Sequence, residues 1–535
     1  MRRKKLQTIF WAFAIPVCSN LASAQLVIDN AQFFIQPGAT VTVQGDVTSN
    51  VDILGTGVLQ LKGTAQQNVN MNGFTIPNLE IDNSNNVLLT GNTRVNSSVL
   101  FTNGKVQLGN FNFILASATT TTGAAMNKFL ETNGSGFAQR EIGNAAASNQ
   151  IIPVGSGSNY APISLTHAGG TYSNAVLSAQ AKPGKSPNSH IRTESYANVY
   201  WPVSTAGVTG GTFTGTGTYP ADGASGFTGT EADLRGMSFN GTDWSLTGEA
   251  HDNTANTVTA QLAANVGQVA GMNRFVLMNA KVLLQGANVV GGVMSDALRA
   301  GTNVIPTTEP YRGAPYNFVS LNGGVQEVAN AAVFNDLGSF NNIVDWVFLE
   351  LRDNVTTAST LQQTRSAFVQ RDGDIVDIDG TSPTYFSNID AGNYTVTVRH
   401  RNHLAISTNN SAGSYKNLTP SSSTPTLDFT APATDILGTA NVNYVQTGGI
   451  NMMYAGNANF NANVRYGGAS NDKDYILATP LATNPATVLN GVYNEGDINM
   501  NKVVRYGGAS NDKDFLLATP LGTNPGAVRT QVIPN

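Results

Sequence analysis

The residues best suited to chemistry lie in a repeat near the C-terminus. Residues 465–474, Arg-Tyr-Gly-Gly-Ala-Ser-Asn-Asp-Lys-Asp, recur letter for letter at 505–514. Ahead of that block the second copy reads Asp497-Ile498-Asn499-Met500-Asn501-Lys502-Val503, and the first reads Asn457-Ala458-Asn459-Phe460-Asn461-Ala462-Asn463. Oxygen side chains at positions 1, 3 and 5 of a loop, a carbonyl at position 7 and a later carboxylate make the cage a calcium ion takes. In the second copy the candidates are Asp497, Asn499, Asn501, the carbonyl of Val503, and Asp512 or Asp514. The weaker first copy offers Asn457, Asn459, Asn461, and Asp472 or Asp474, with no carboxylate among its first three positions. Position 6, ordinarily glycine, is Lys502 or Ala462. Asparagines replace most acids, which sets affinity in the weak extracellular range of roughly 10⁻⁴ to 10⁻³ M. The competing structural role is asparagine turn chemistry.

Other clusters are less suited. The acids Asp372, Asp374, Asp377 and Asp379 could hold a cation, with Asp377 and Asp379 on the same side of a strand, but both ends are Asp-Gly turns and solvated hairpin ends are the better reading. His400 and His403, on a strand end, are expected to face opposite ways with no third ligand, which argues against zinc. Trp201 and Trp244 could stack on sugars, but no aromatic row accompanies them, so core anchoring is the better reading. There is no Gly-x-Ser-x-Gly elbow, His-Glu-x-x-His or P-loop. From residue 26 to 118 the acids (Asp29, Asp46, Asp52, Glu80 and Asp82 among them) are scattered rather than paired, as glycoside chemistry would need.

The elements that must position these residues are β-strands. Charged residues make up 12% of the chain, about half the usual share, and 55 glycines are present. Short apolar runs such as Val58-Leu59-Gln60-Leu61 and Val87-Leu88-Leu89 recur at intervals too short for crossover helices. Strands of this kind bury a side only by stacking, as in solenoids and sandwiches. The first 24 residues have the form of a secretory signal peptide: Arg2, Arg3, Lys4 and Lys5, an apolar core at 9–17, and Ala22-Ser23-Ala24 before the expected mature start, Gln25. That core is too short to span a membrane, and no later run reaches the length of about 20 residues needed. The single cysteine, Cys18, falls inside the leader, so disulfides and thiolate sites are excluded from the mature chain. A net charge of −5 without basic clusters argues against nucleic acid as a partner.

Three stretches carry a family resemblance. Residues 76–83, 87–92 and 100–106 resemble the β-solenoid of large Bacteroidetes surface proteins, and Ile152-Pro153-Val154-Gly155 with Asn159-Tyr160-Ala161-Pro162 resembles the segment that follows it. Asp345-Trp346-Val347, residues 370–374 and residues 399–404 resemble a haemagglutinin-like module of the same proteins. The terminal pair resembles the duplicated calcium loops of dockerins, with an insertion before the last acid. The residue pattern, with the resemblance beside it, leads to the expectation of an all-β, multi-domain chain: a signal peptide (1–24), a β-solenoid-like region (25–118), a β-rich, sandwich-like region (119–281), a connector (282–342) with a short helix near 295–300, a β-sandwich module (343–430), and a small repeat pair with short helices (445–535). The expected function is adhesion or scaffolding, without catalysis, by an exported protein at the outer surface or outside the cell rather than in the periplasm. It would bind an unknown surface protein or glycan, with weak Ca2+ in the repeats. The alternative is a carbohydrate-active enzyme, or a non-catalytic subunit of a polysaccharide-degrading assembly.

Overall fold

The computed structural model describes residues 24–534 apart from 222–225, 264, 322–325, 354–358 and 410–415; residues 1–23 of the expected leader, Cys18 among them, lie outside the described residues. Strand accounts for 45% of the chain and helix for 5%, which makes the fold all-β. No helix among the described residues is long and apolar enough to cross a membrane. The chain forms two compact units. The first takes in the described residues up to Ser164 with Gly169–Lys182 and Ser204–Gly210; the second holds Leu165–Ala168, Pro183–Val203 and everything from Gly211.

The first unit is a β-solenoid of about six turns. One parallel ladder runs Leu26–Ile28, Val47–Ser49, Gln67–Asn70, Val87–Leu89, Val106–Gln107, Leu130–Glu131 and Val154–Ser156. A second runs Thr40–Val43, Val58–Leu61, Thr75–Asp82, Thr93–Asn103, Phe113–Leu115 and Ala138–Gly143. Because parallel partners sit in register, like side chains stack: Val43, Leu61, Ile81 and Phe101 form one buried row. Each such side chain contributes roughly 1.5–3 kcal/mol on burial, which short strands could not gain singly. The corners need special backbone. Gly104 has φ +79°, and a Cβ there would lie 1.8 Å from the Asn83 carbonyl oxygen. The antiparallel strand Thr171–Ala179 covers the last rung by pairing with Ala138–Gly143.

Several buried positions of this unit are polar, Gln67 among them. Gln67 is buried, yet its Nε2 donates to the carbonyls of Val43 and Gly45 and its Oε1 accepts from Gly63 N and Asn83 Nδ2. Gln67→Ala removes one hydrogen bond from each of the four. Val43 O keeps Lys62 N and Asn83 Nδ2 keeps the Ala65 carbonyl, so the cost falls mainly on the Gly45 carbonyl and Gly63 N, at about 1–3 kcal/mol for each group left unsatisfied. Urea denaturation followed by strand circular dichroism is expected to show the solenoid transition moving to clearly lower denaturant. A midpoint equal to wild type would mean that water replaces the amide.

The second unit begins with antiparallel sheets. Thr212–Thr218 pairs with Thr257–Leu262, which pairs in turn with Ala250–Asp252; Leu234–Phe239 pairs with Val266–Asn273 and Trp244–Ser245. Contact between layers is close: a Cβ on Gly217 would lie 2.5 Å from the fully buried Trp201 ring. Trp244 is buried as well, and its Nε1 donates to the Asn188 carbonyl. Both tryptophans are therefore core anchors.

A large sheet follows in the order His403–Ser407, Gly392–His400, Ile343–Arg352, Leu361–Gln370, Asp374–Val376, Ala280–Lys281, Leu427–Asp428. Its central strand, Ile343–Arg352, is buried on both faces up to Leu351. The stretch 282–342 explains why, since it lies against that strand: Trp346 Nε1 donates to the Pro306 carbonyl and Tyr311 Oη to the Trp346 carbonyl. Residues 295–300 form a single turn closed by Ala300 N on the Asp296 carbonyl, not the short helix expected. Three segments meet in a buried ionic knot of Arg192, Asp377, Glu327 and Arg312.

Candidate cation loops of the duplicated repeats

The two repeats clasp one another. Asn463–Arg465 of the first pairs with Val528–Thr530 after the second, and Val503–Arg505 of the second pairs with Val488–Asn490 after the first. Neither copy closes its own hairpin, so two copies are the minimum unit. Val464, Ile476, Leu481, Val504, Leu516 and Leu521 fill the core they share. Each copy carries one short helix, α1 (Asp472–Ala478) and α2 (Asp512–Ala518). Asn471 and Asn511 cap them, each accepting from the backbone N–H of Asp474 or Asp514 at 2.8 Å.

The caps decide how the acids divide. Asp474 and Asp514 turn outward at the cap, bonded at 2.7 Å by the asparagine Nδ2 and largely exposed. Asp472 and Asp512, the first helical residues, turn inward and are fully buried. Asp512 accepts from Ile498 N and Arg505 N at 3.1 and 3.0 Å; Asp472 accepts from Ala458 N and Arg465 N at 2.9 Å each. Asp497, also fully buried, accepts from Asn501 N and Lys502 N at 2.9 Å each. Asn501 Oδ1 accepts from Val503 N at 2.9 Å. The amides of Asn499 and Asn501 converge on the Ser510 carbonyl, as those of Asn459 and Asn461 do on Ser470. The structure thus brings Asp497, Asn499, Asn501, Val503 and Asp512 into one loop and leaves Asp514 at its outer edge. The first copy repeats this with Asn457, Asn459, Asn461 and Asp472 inside and Asp474 outside.

Position 6 is left-handed in spite of its side chains. Lys502 has φ +68° and Ala462 φ +64°, the backbone for which glycine is the usual choice. Lys502 is anchored besides, its ammonium donating to the carbonyls of Ala300 and Thr302 at 2.5 and 2.7 Å. That draws the nearest cationic side chain of the loop away from its carboxylates.

Burial pushes Asp472 up to about 7 and Asp497 up to about 6, against the backbone N–H groups and, for Asp497, Arg401 that favour ionisation. Asp512 goes well above the usual carboxylate range for the same reason, and the charge of Asp497 adds to the rise. In addition, Asn499 Oδ1 and Asn457 Oδ1 are buried without a hydrogen-bond partner. Buried carboxylates met only by N–H donors or a distant charge, with orphaned amide oxygens in the same loops, are the donor types a hard cation takes, so the residues present fit one. The second loop, with two carboxylates, fits better than the first with one.

The second repeat is also bolted to the large sheet. Asp345 is fully buried and accepts from Arg401 Nε at 2.9 Å, His400 Nε2 at 3.1 Å, Tyr493 Oη at 2.7 Å and Trp346 N at 2.8 Å. Burial raises its pKa, but Arg401 and His400 outweigh that and hold it at about 2. Arg401 stacks over Tyr493 at 4.6 Å and donates to the Asn494 carbonyl; Asn402 donates to the carbonyls of Asp497 and Glu495. Sequence reasoning missed this lock, although two of its parts stand in the phrases 345–347 and 399–404.

His400 and His403 do not face opposite ways. They flank the two-residue turn Arg401-Asn402 as an antiparallel pair, so their rings share a side, with Nδ1 atoms 2.9 Å apart. Gly286 N donates to His403 Nε2, which leaves the His403 Nδ1 proton for His400 and the His400 Nε2 proton for Asp345. Nor do the aspartates at 372–379 form one solvated cluster. Asp377 is fully buried on Arg192 at 2.5 Å, Asp374 pairs with Lys281 at 2.8 Å, and Asp379 holds Ser382.

The fold and these loops define an all-β protein with a solenoid and a clasped repeat pair. No protein-family model, curated protein or solved structure matches the chain.

Proposed function

We propose that this chain is an exported adhesion or scaffold protein, without catalytic activity of its own, whose C-terminal repeats hold calcium. The observation that carries the reading is the second loop: two buried carboxylates, Asp497 and Asp512, with an orphaned oxygen on Asn499 and both nearby lysines engaged elsewhere, Lys502 on the carbonyls of Ala300 and Thr302 and Lys513 on Asp514. Bound calcium would supply the positive charge that this loop lacks. Asp497, Asp512, Asn499 and Asn501 would hold the ion, and the bolt at Arg401 and Asn402 would pass that rigidity to the sheet. Three further features support the reading: the leader-like first 24 residues, the solenoid, and the likeness of residues 345–347, 370–374 and 399–404 to haemagglutinin-like modules of Bacteroidetes surface proteins. A partner at the surface, protein or glycan, fits a chain of this modular, all-β build.

Two readouts test this. Protease added to intact cells that make the protein is expected to remove it, which places it outside. The purified chain incubated with plant and microbial polysaccharides is expected to leave them intact. New reducing ends or unsaturated products would overturn the non-catalytic reading in favour of a carbohydrate-active enzyme.

A further inference from the structure

We infer that the second repeat forms one wall of a cleft that binds a neutral oligosaccharide. The cleft encloses about 740 Å³, inside the range of roughly 300–1,000 Å³ typical of small-ligand sites. Asn499, Asn501, Ser510 and Thr519 line one wall. Gln285 and Asn288 stand on the segment that follows Ala280–Lys281, and Thr447 on the hairpin of Val445–Thr447 and Ile450–Met452. Val289, Met452 and Phe515 supply an apolar surface among them.

Charge selects the ligand class. Among the described residues Asp514 is the one formally charged residue lining the cleft, and Lys513 already pairs with it at 3.4 Å. A phosphate or acidic chain would find no cation there. Asn499 and Asn501 are already bonded to Ser510 and Val503, so the side chains left to face a ligand are those of Asn288, Thr447 and Thr519. Amides and hydroxyls both donate and accept, as sugar hydroxyls do, and an apolar patch with a phenyl ring suits the C–H face of a pyranose. The first repeat has the equivalent half: Asn459, Asn461, Ser470, Asp474 and Tyr475 line a hollow of about 640 Å³. Only the repeat's own residues line that hollow, so it lacks a facing wall. One site per chain follows.

The inference rests on the adhesion reading only for its purpose, and its test separates the two. The full chain is titrated calorimetrically with cello-, xylo-, manno- and chitohexaose, once in calcium and once in chelator. At least one hexaose is expected to bind one-to-one in calcium. Thr447→Trp, at an exposed position on the rim, is expected to abolish binding by filling the cleft. Asn288→Gly keeps the left-handed backbone (φ +48°) while removing the amide, and is expected to weaken binding about tenfold, the worth of one hydrogen-bonding group. Both variants should melt as wild type does. Binding to none of the four, binding that survives both variants, two sites per chain, or binding of peptides alone would each overturn the cleft. Binding lost only in chelator, and restored by calcium, leaves the cleft intact and bears on the calcium reading instead.

Discussion

Arg401→Met is expected to destabilise the second unit by about 3–5 kcal/mol, the usual cost of breaking a buried ion pair from one side. Asp345 is fully buried and faces no other full-time cation: His400, its remaining partner there, has its own pKa pushed down by burial. Removing the guanidinium also takes the stacking partner from Tyr493 and the donor from the Asn494 carbonyl, which leaves the second repeat held there by Tyr493 on Asp345 and by Asn402 on the carbonyls of Asp497 and Glu495. Denaturant unfolding should show the loss, and limited proteolysis should cut first near residues 490–500. The double variant Arg401→Met/Asp345→Asn is expected to recover part of it, because a neutral pair leaves no buried charge. A double variant no more stable than the single one would show that packing, not charge, holds this site.

Calcium is expected to raise the melting temperature by an amount that grows from pH 5 to pH 8. The sign follows from linkage. Asp472 and Asp497, raised to about 7 and about 6, and Asp512 with them, hold protons in the folded chain at pH values where the unfolded chain has released them. Their contribution to stability is therefore greatest below the unfolded value near 4 and falls as pH rises toward 7. Calcium competes with those protons, so it adds little at pH 5 and most at pH 8. His400 and His403, kept neutral by burial, act the other way and lose stability as pH drops below about 6.5. Their share is equal in calcium and in chelator and cancels in the difference. A calcium increment independent of pH would point to ligands other than these carboxylates.

Much of this fold can be read from local pattern, because a solenoid is built from local pattern. Leu59 and Leu61 alternate with Val58 and Gln60 in the sequence and do so again in burial. The terminal repeat is plain from identity of letters, and its strand exchange explains why there are two copies. The lock at Asp345 is different. It joins residues 345, 400, 401 and 493, far apart in the chain, and the run 399–403 by itself looks like a solvated, charged turn. Pairing of Gly392–His400 with both neighbours turns that run inward, a tertiary fact with no local mark. Asp512 and Asp514 pose a finer case. Both stand at the start of one helix, and only the cap at Asn511 decides that the first turns in and the second out. The missing glycine at position 6 misleads in the opposite direction: Ala462 and Lys502 take the left-handed turn regardless, held by the hydrogen bonds around them.

The central claim is calcium held by buried acids in the second repeat, and the most direct test is calorimetric titration of the full chain with calcium at pH 7.5. Wild type is expected to bind at least one ion with a dissociation constant on the order of 10⁻⁴ to 10⁻³ M, and Asp497→Asn is expected to weaken that binding strongly. No heat from wild type, together with equal melting in calcium and in chelator, would contradict it.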